Sequence, residues 1–333
     1  MRAGTEPVAR LLASLVAAAA LALTPVQGMA SQANPAIAHA LDRLMQNDAR
    51  LQTVGWKLAA GNAAFCAETV PGSGLLLMDA ANFRDPPAIR AALGLAGDIA
   101  VNAVAAGSPA ETAGLRAGEE VLAIGGEAMQ ALPPVPAGDH ARLAALQARL
   151  AERLANGHTD ITVRGRDGAI RSVRLAAIPV CPSRFELAAE GASAVADGER
   201  VILREAELAI LADDGSLMAV VAHELAHNLL RHRERLGREG RTPGAIRATE
   251  QEADRLGPWL IANAGYPPLL ARSFATLRAF ARPLDSLLPS ATHGSWKGRA
   301  RRIGAEVAAI EAIRRADPAA PLDWRMRFAA STP

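Results

Sequence analysis

One run of residues constrains the fold more than any other part of the chain. It is the apolar stretch 217–230, which contains His223-Glu224-Leu225-Ala226-His227. In an α-helix, positions i and i+4 lie on one face, so both imidazoles can reach a single metal ion. Glu224 follows the first histidine directly, where a carboxylate can take a proton from a water at that ion. The run therefore predicts a buried helix that supplies two ligands of a metal site.

A catalytic zinc ion needs a third protein ligand and leaves its fourth position to water. The extended form of the motif, which adds a third histidine, requires Gly at position 230 and His at position 233. The chain has Leu230 and Arg233 there, so this form is excluded. His232 lies five residues after His227 and would point away from the metal on a continuous helix. We therefore predict a surface or core role for His232.

Two carboxylates downstream are better candidates for completing the site. Glu250 and Asp254 are i and i+4 on a second predicted helix. One of them can bind zinc while the other orients a ligand imidazole through its free N–H group. The residues alone leave open which carboxylate takes which role.

At these positions the chain resembles the zinc metallopeptidases of the HtpX and BepA type, peptidase family M forty-eight. The resemblance covers most of residues 183–305: it begins at 196–203, continues through the H-E-x-x-H helix, and reappears in the E-x-x-x-D at 250–254. It implies that Glu250 is the third zinc ligand and that Asp254 holds a ligand histidine. Glu252 lies two residues from Glu250 and cannot share its helical face, so we predict a solvated or ion-paired carboxylate.

A further segment extends the resemblance. Thr292-His293-Gly294, with Arg299 six residues after the histidine, resembles the family's T-H-P segment and its following arginine, although Gly294 replaces the usual proline. It implies catalytic roles for His293 and Arg299, such as donating to the oxyanion of the tetrahedral intermediate. A purely structural His293, or a His293 that binds zinc and keeps the enzyme latent, are the alternatives. Tyr266 is predicted to pack in a turn.

Two cysteines bracket a segment of different character. Cys66 and Cys181 are the two cysteines of the chain, and an even number is compatible with one disulfide; export of the chain, which its first 30 residues predict below, favours the disulfide over two buried thiols. On the loop-entropy argument such a bond would stabilise the fold by about 4 kcal/mol.

The bracketed segment has its own pattern. Residues 101–126 predict a strand, a short helix after a Gly-Ser-Pro turn, and a second strand closed by Gly125-Gly126; a helix over 143–154 and a final hairpin at 161–175 follow. The pattern resembles PDZ domains of bacterial envelope proteases, with Glu119 where aspartate is usual. PDZ domains bind peptide ends by adding a strand to a sheet edge. Gly74 and Leu75 are the candidate carboxylate-binding loop, unless they only begin a core strand.

The first 30 residues predict a secretory signal peptide. Arg2 and Arg10 precede an apolar run over 11–23, and Gly28-Met29-Ala30 offers a cleavage site after Ala30. The run is short for a bilayer span, no later stretch is long enough, and no cysteine follows the site. These features predict an exported, periplasmic protein with no transmembrane segment in its mature form; an uncleaved anchor is the alternative.

Charge and length complete the prediction. The chain has 36 basic and 34 acidic residues, a balance that does not require nucleic acid as a partner. We predict an α+β protein in four parts: signal peptide (1–30), N-terminal helical segment (31–66), PDZ-like domain (67–180), and a mainly α-helical zincin-type metallopeptidase domain (181–333).

The predicted function is that of a zinc metalloendopeptidase with one Zn²⁺ per chain. Its expected substrates are envelope or misfolded polypeptides, and its PDZ-like domain is expected to bind peptide ends or envelope proteins. The alternative is a PDZ-type peptide-binding or chaperone protein whose zinc site is latent or structural.

Overall fold

The computed structural model describes residues 34–188, 194–211, 213–273 and 295–328. The predicted signal peptide and His293 lie outside these ranges. The described chain mixes helices with β-sheets, which confirms the predicted α+β class. Within these ranges, no helix combines the length and the apolar character that a bilayer crossing requires.

Ten helices are assigned within the described ranges. They are α1 (Pro35–Gly61), α2 (Pro86–Leu93), α3 (Pro109–Thr112), α4 (Ala141–Leu154), α5 (Glu205–Ile210), α6 (Asp214–Leu229), α7 (His232–Glu239), α8 (Pro243–Asn263), α9 (Trp296–Ala316) and α10 (Arg325–Phe328).

The strands form three sheets. They are β1 (Val70–Gly72), β2 (Leu75–Asp79), β3 (Ile99–Val104), β4 (Glu120–Ile124), β5 (Glu127–Ala128), β6 (His158–Arg164), β7 (Ile170–Ala176), β8 (Ile178–Val180), β9 (Arg184–Ala188), β10 (Val195–Ala196) and β11 (Arg200–Arg204). The largest sheet has the order β2-β3-β4-β6-β7 with β5 paired to β4, a second has the order β10-β11-β9, and β1 pairs with β8.

The largest sheet and α4 enclose a core of their own. All its pairings are antiparallel, and its buried residues include Val101, Val121 and Ile161 from the sheet and Leu150 from α4. The residues at 125 and 126 both have positive φ, 55° and 82°, so glycine is required there for the tight turn that joins β4 to β5. The hairpins and the helix predicted from the sequence are present.

The two ends of this segment are joined to each other. β1 and β8 pair antiparallel with Val70 opposite Val180, and the adjacent cysteines Cys66 and Cys181 form a disulfide with their Cα atoms 5.6 Å apart. The chain therefore leaves and re-enters the helical part at a single point.

Replacing both cysteines by serine should lower the free energy of unfolding by about 4 kcal/mol, because the bond closes a loop of 115 residues. Urea unfolding of the wild type and of the Cys66→Ser/Cys181→Ser variant measures the difference. Wild type treated with reductant is the matched control and should match the variant. Equal stability of oxidised wild type and variant would contradict the prediction.

A second core lies among α1, α6, α8 and the β9–β11 sheet. Leu51 and Leu58 of α1 are fully buried in it together with Leu217 and Leu225 of α6. The N-terminal helical segment is thus part of the core that surrounds the H-E-x-x-H helix.

Helix α8 continues through Pro258 without a break. Proline has no N–H to donate to the carbonyl of Asp254, so the sequence predicts that the helix bends or restarts there. The structure shows one helix from Pro243 to Asn263, and a restart is therefore wrong. The residues that follow the proline, Trp259 and Leu260, are buried, and their packing keeps the last turns in place.

Asp48 makes the stability of this core dependent on pH. Its side chain is buried on α1, and Asn102 donates a hydrogen bond to it over 2.7 Å. Burial raises the pKa of Asp48 to about 6, and nearby Glu205 and Glu186 add to the increase, while the bond from Asn102 opposes it.

The folded chain therefore binds a proton more tightly here than the unfolded chain, and this contribution to stability is lost as the pH rises from about 4 to 6. We expect Asp48→Asn to stabilise the protein by roughly 3 kcal/mol above pH 7 and to have little effect near pH 4. Urea unfolding of both proteins across this range tests it; a difference that does not vary with pH would contradict it.

Candidate metal centre

Helix α6 carries the H-E-x-x-H motif through the centre of the helical core. Its N-terminus is capped by Asp213, whose carboxylate accepts from the backbone N–H of Ser216 at 2.8 Å. His223 and Glu224 are only 4% and 6% exposed, so the motif is almost removed from solvent. Buried polar groups require partners, and those of the histidines come from α7 and α8.

Helix α8 packs against α6 and brings Glu250 to both histidines. The Nε2 atoms of His223 and His227 are 3.3 Å apart. Oxygens of Glu250 lie 3.4 Å from Nε2 of His223 and 3.5 Å from Nε2 of His227. A tetrahedral zinc ion with bonds of about 2.0–2.1 Å separates its ligand atoms by about 3.3–3.4 Å. Each pair of side chains therefore has atoms at about this separation, with Oε2 of Glu250 towards His223 and Oε1 towards His227.

Asp254 lies one turn further along α8 and contacts the other nitrogen of His223. Its Oδ1 atom is 3.4 Å from Nδ1 of His223, on the side of the ring away from Glu250. The carboxylate of Asp254 is buried, and burying an ionised carboxylate without counter-charges costs free energy. Arg299 and Arg302 of α9 supply them: Nε of Arg299 lies 2.8 Å from Oδ1, and Nη2 of Arg302 lies 2.9 Å from Oδ2.

Arg299 also reaches the predicted metal ligand. Its Nη2 atom lies 3.1 Å from Oε2 of Glu250, so one guanidinium, itself 4% exposed, joins both carboxylates. The arginine is held in turn by the packing of α9 on α8, where the indole of Trp259 donates to Glu306 over 3.0 Å. This geometry favours a positioning role for Arg299.

The two histidines titrate in opposite directions in the metal-free chain. Burial lowers the pKa of His223, but the carboxylates of Asp254 and Glu250 outweigh it and raise the pKa to about 9. Burial and the neighbouring His223 hold the pKa of His227 well below its usual range. Burial opposes ionisation of Asp254, yet His223 and Arg299 hold its pKa below the ordinary value. His227 is thus neutral and ready to bind a metal, whereas His223 must release a proton first.

His232 does not lie where a continuous helix would put it. Helix α6 ends at Leu229, Arg231 adopts the left-handed region with φ 51°, and α7 begins at His232. This break brings Nδ1 of His232 to 2.9 Å from Nδ1 of His227. The core location of His232 agrees with the prediction, but its contact with a predicted metal ligand was missed.

Glu252 is ion-paired, as predicted. Its carboxylate lies 2.9 Å from Nη1 of Arg235 and 3.0 Å from Nε2 of His232. It points away from the ligand set, because two helical residues span about 200° of rotation. Glu250 is therefore the carboxylate that the fold brings to the histidines.

The structure thus brings together five of the predicted site residues: His223, His227, Glu250, Asp254 and Arg299. Glu224 is buried on α6, directly after His223. Of the remaining candidates, His293 lies outside the described residues, and Tyr266 is hydrogen-bonded through its hydroxyl to Lys57.

A cleft of about 900 Å³ lies near the C-terminal end of α6. One wall is β2, which is an edge strand of the PDZ-like sheet, together with α4; the other wall includes Trp56 and Asn228 from the helical part. Gly74, at the start of β2, has φ 72°, and a Cβ atom there would lie 2.3 Å from Cβ of Ser108. Gly74 and Leu75 line the cleft, which reaches the residue after His227 but not the metal ligands.

Comparison with known proteins identifies one part of the chain. The PDZ domain family profile matches residues 100–135, which run from β3 past β5. No curated protein matches the chain, and no solved structure matches it. PDZ domains bind peptides, and the match supports a peptide-binding role for this segment.

Proposed function

We propose that this protein is a zinc-dependent endopeptidase whose metal is held by His223, His227 and Glu250. The observation that carries the proposal is how close the three side chains lie: the Nε2 atoms of the histidines are 3.3 Å apart, and Glu250 places Oε2 3.4 Å from His223 and Oε1 3.5 Å from His227, which is close to the separation of ligand atoms around tetrahedral zinc. The resemblance to the HtpX and BepA type of metallopeptidase, which covers most of residues 183–305, supports the same assignment.

The donor set fits zinc chemically. Two neutral imidazoles and one carboxylate form the ligand set of several zinc peptidases, and they leave one position for water or substrate. When bound, zinc polarises the scissile carbonyl and makes a water molecule more acidic. A closed structural site would need a fourth protein ligand, and among the described residues the cluster has three.

The residues of the chain supply the proton transfers and the orientation. Glu224 takes the proton of the attacking water and passes it to the leaving amine. Asp254, whose Oδ1 lies 3.4 Å from Nδ1 of His223, orients this ring so that Nε2 faces the metal position. Arg299 fixes the carboxylates of Glu250 and Asp254 relative to each other.

The PDZ-like part is proposed to hold an extended peptide. A peptide that enters the cleft can pair with the edge of β2 opposite β3, while its end meets the loop at Gly74 and Leu75, where the Leu75 amide exchanges its 3.4 Å bond to the Ser73 hydroxyl for the peptide carboxylate. The cleft ends beside α6, so a bound polypeptide would lie next to the catalytic helix.

We further propose export to the periplasm and substrates among envelope or misfolded proteins. The disulfide supports an oxidising compartment, since such bonds persist outside the reducing cytosol. The substrate class rests on analogy with the resembling peptidases.

A second candidate is a peptide-binding or chaperone protein with a latent or structural zinc site. The match of residues 100–135 to the PDZ family favours it, because peptide binding alone could be the activity. Such a protein would bind peptides without breaking a peptide bond, and this difference can be measured.

The proposal is tested with the mature chain, residues 31–333, and an unfolded polypeptide substrate. We expect one zinc per chain, cleavage that stops when a chelator removes the metal, and recovery when zinc is restored. Cleavage that persists in the metal-free protein would contradict the metallopeptidase. A protein that binds one zinc and retains the substrate without cleaving it would support the second candidate.

A further inference from the structure

The contacts of His232 are not used by the mechanism proposed above. The residue is 1% exposed, and both of its ring nitrogens have partners. Nδ1 lies 2.9 Å from Nδ1 of His227, and Nε2 lies 3.0 Å from Oε2 of Glu252. Arg235 lies 2.9 Å from the same oxygen. These contacts connect a metal ligand to an ion pair nearer the surface.

The direction of the hydrogen bonds follows from Glu252. A carboxylate paired with an arginine only accepts, so Nε2 of His232 must donate to it. A neutral His232 then has a lone pair on Nδ1, and it can only accept from Nδ1–H of His227. His227 consequently carries its proton on Nδ1 and keeps the lone pair of Nε2.

That lone pair faces the metal position. Nε2 of His227 lies 3.5 Å from Glu250 and 3.3 Å from Nε2 of His223. The opposite direction of the bonds would place a proton on Nε2 of His227, and a protonated nitrogen cannot bind a metal. A single arrangement of protons thus satisfies Glu252, His232 and the metal site together.

We infer that His232 and Glu252 are positioning residues that fix the tautomer and the ring orientation of His227 for metal binding. The inference rests on the proposed zinc site. It assigns different supports to the two histidine ligands: His223 is held by the carboxylate of Asp254, and His227 is held by a neutral imidazole backed by Glu252.

The backbone between the two helices supports this role. Arg231 is the non-glycine residue with positive φ in the described ranges, at φ 51° and ψ 39°. A left-handed conformation is unfavourable for such a residue and persists where the surrounding structure requires it. Here it reverses the chain after α6 and places His232 against His227.

Two substitutions at one position separate the hydrogen bond from packing. His232→Leu fills a similar volume but offers no acceptor. His232→Asn places an amide oxygen where Nδ1 stands, because both atoms branch from Cγ, and so it keeps an acceptor for His227. His158→Leu, an exposed histidine on β6, is the control that should change nothing.

The readout is zinc affinity, measured at one fixed pH by competition with a chromophoric chelator. The visible spectrum of the Co²⁺-substituted protein reports the ligand geometry independently of activity. We expect His232→Leu to bind zinc about 10–100-fold more weakly. We expect His232→Asn to recover most of the affinity and the wild-type Co²⁺ spectrum.

Each outcome has a distinct meaning. Wild-type affinity and spectrum in His232→Leu would overturn the inference and leave the proposed zinc site standing. A wild-type chain that binds no zinc would overturn the proposed function and the inference with it. If thermal unfolding shows that His232→Leu is not folded, Glu252→Ala decides, because its carboxylate is partly exposed: weaker zinc binding supports the inference, and unchanged binding overturns it.

Discussion

Glu224→Gln should lower the rate of peptide cleavage by about 1,000-fold or more, because general acid–base catalysis contributes about 10²–10⁴-fold and glutamine cannot take the proton of water. The amide has nearly the shape of the carboxylate, and Glu224 is not one of the three predicted ligands. Zinc content and thermal stability should therefore stay close to the wild-type values. The measurement is cleavage of an unfolded polypeptide, together with zinc content.

The control for this variant is Glu311→Gln, an exposed glutamate on α9 that lies 3.9 Å from Arg315 and does not line the cleft. It should cleave at the wild-type rate. Equal cleavage by Glu224→Gln and wild type would overturn the assignment of Glu224 as the general base. If neither protein cleaves the substrate, the peptide-binding protein is the better account.

Glu250→Gln should have the second-largest effect, on zinc binding. Apparent binding free energies of about 10–16 kcal/mol for four-ligand zinc sites correspond to about 3 kcal/mol per ligand, so the loss of one charged ligand should weaken binding by about 100-fold or more. The change also removes one of the two carboxylates that face the buried Arg299. Competition with a chelator measures the affinity.

Asp254→Asn is the informative comparison for Glu250→Gln. It neutralises a carboxylate on the same helix that supports His223 but lies off the ligand triangle, so its effect on zinc affinity should be about 10–100-fold and smaller. The reverse order, with Asp254→Asn the weaker binder, would mean that the two carboxylates exchange roles.

Helical periodicity predicts which side chains of the proposed site lie on one face, while the choice of Glu250 over Asp254 as the third ligand comes from the resemblance. The spacing of His223 and His227, and of Glu250 and Asp254, places each pair on one face of a helix whatever surrounds it. The hairpins of the PDZ-like part are predicted for a similar reason, since Gly125-Gly126 provides the positive φ angles of a tight turn.

His232 could not be placed because a helix break decides its position. Helix ends are recognised from glycine, proline or capping residues, and the break here occurs at Arg231, a residue with none of these properties. On a continuous helix His232 points away from the metal; after the break it lies against His227. A histidine that follows the H-E-x-x-H helix by a few residues should therefore be considered as a candidate hydrogen-bond partner of the ligand histidines.

The contact of Arg302 with Asp254 could not be predicted from the composition of its segment. It belongs to a basic cluster at 297–302 that reads as a solvated face, yet it contacts the buried carboxylate of Asp254 at 2.9 Å. Which of several neighbouring arginines faces inward depends on how α9 packs on α8, and that packing is not encoded in local spacing.

The central claim is that His223, His227 and Glu250 share one zinc ion. Anomalous diffraction at the zinc absorption edge, from crystals of the mature protein, tests it most directly. We predict one peak per chain at about 2.0–2.2 Å from Nε2 of each histidine and from a carboxylate oxygen of Glu250. A zinc peak at other residues, or zinc-soaked crystals with no peak at these three, would contradict the account.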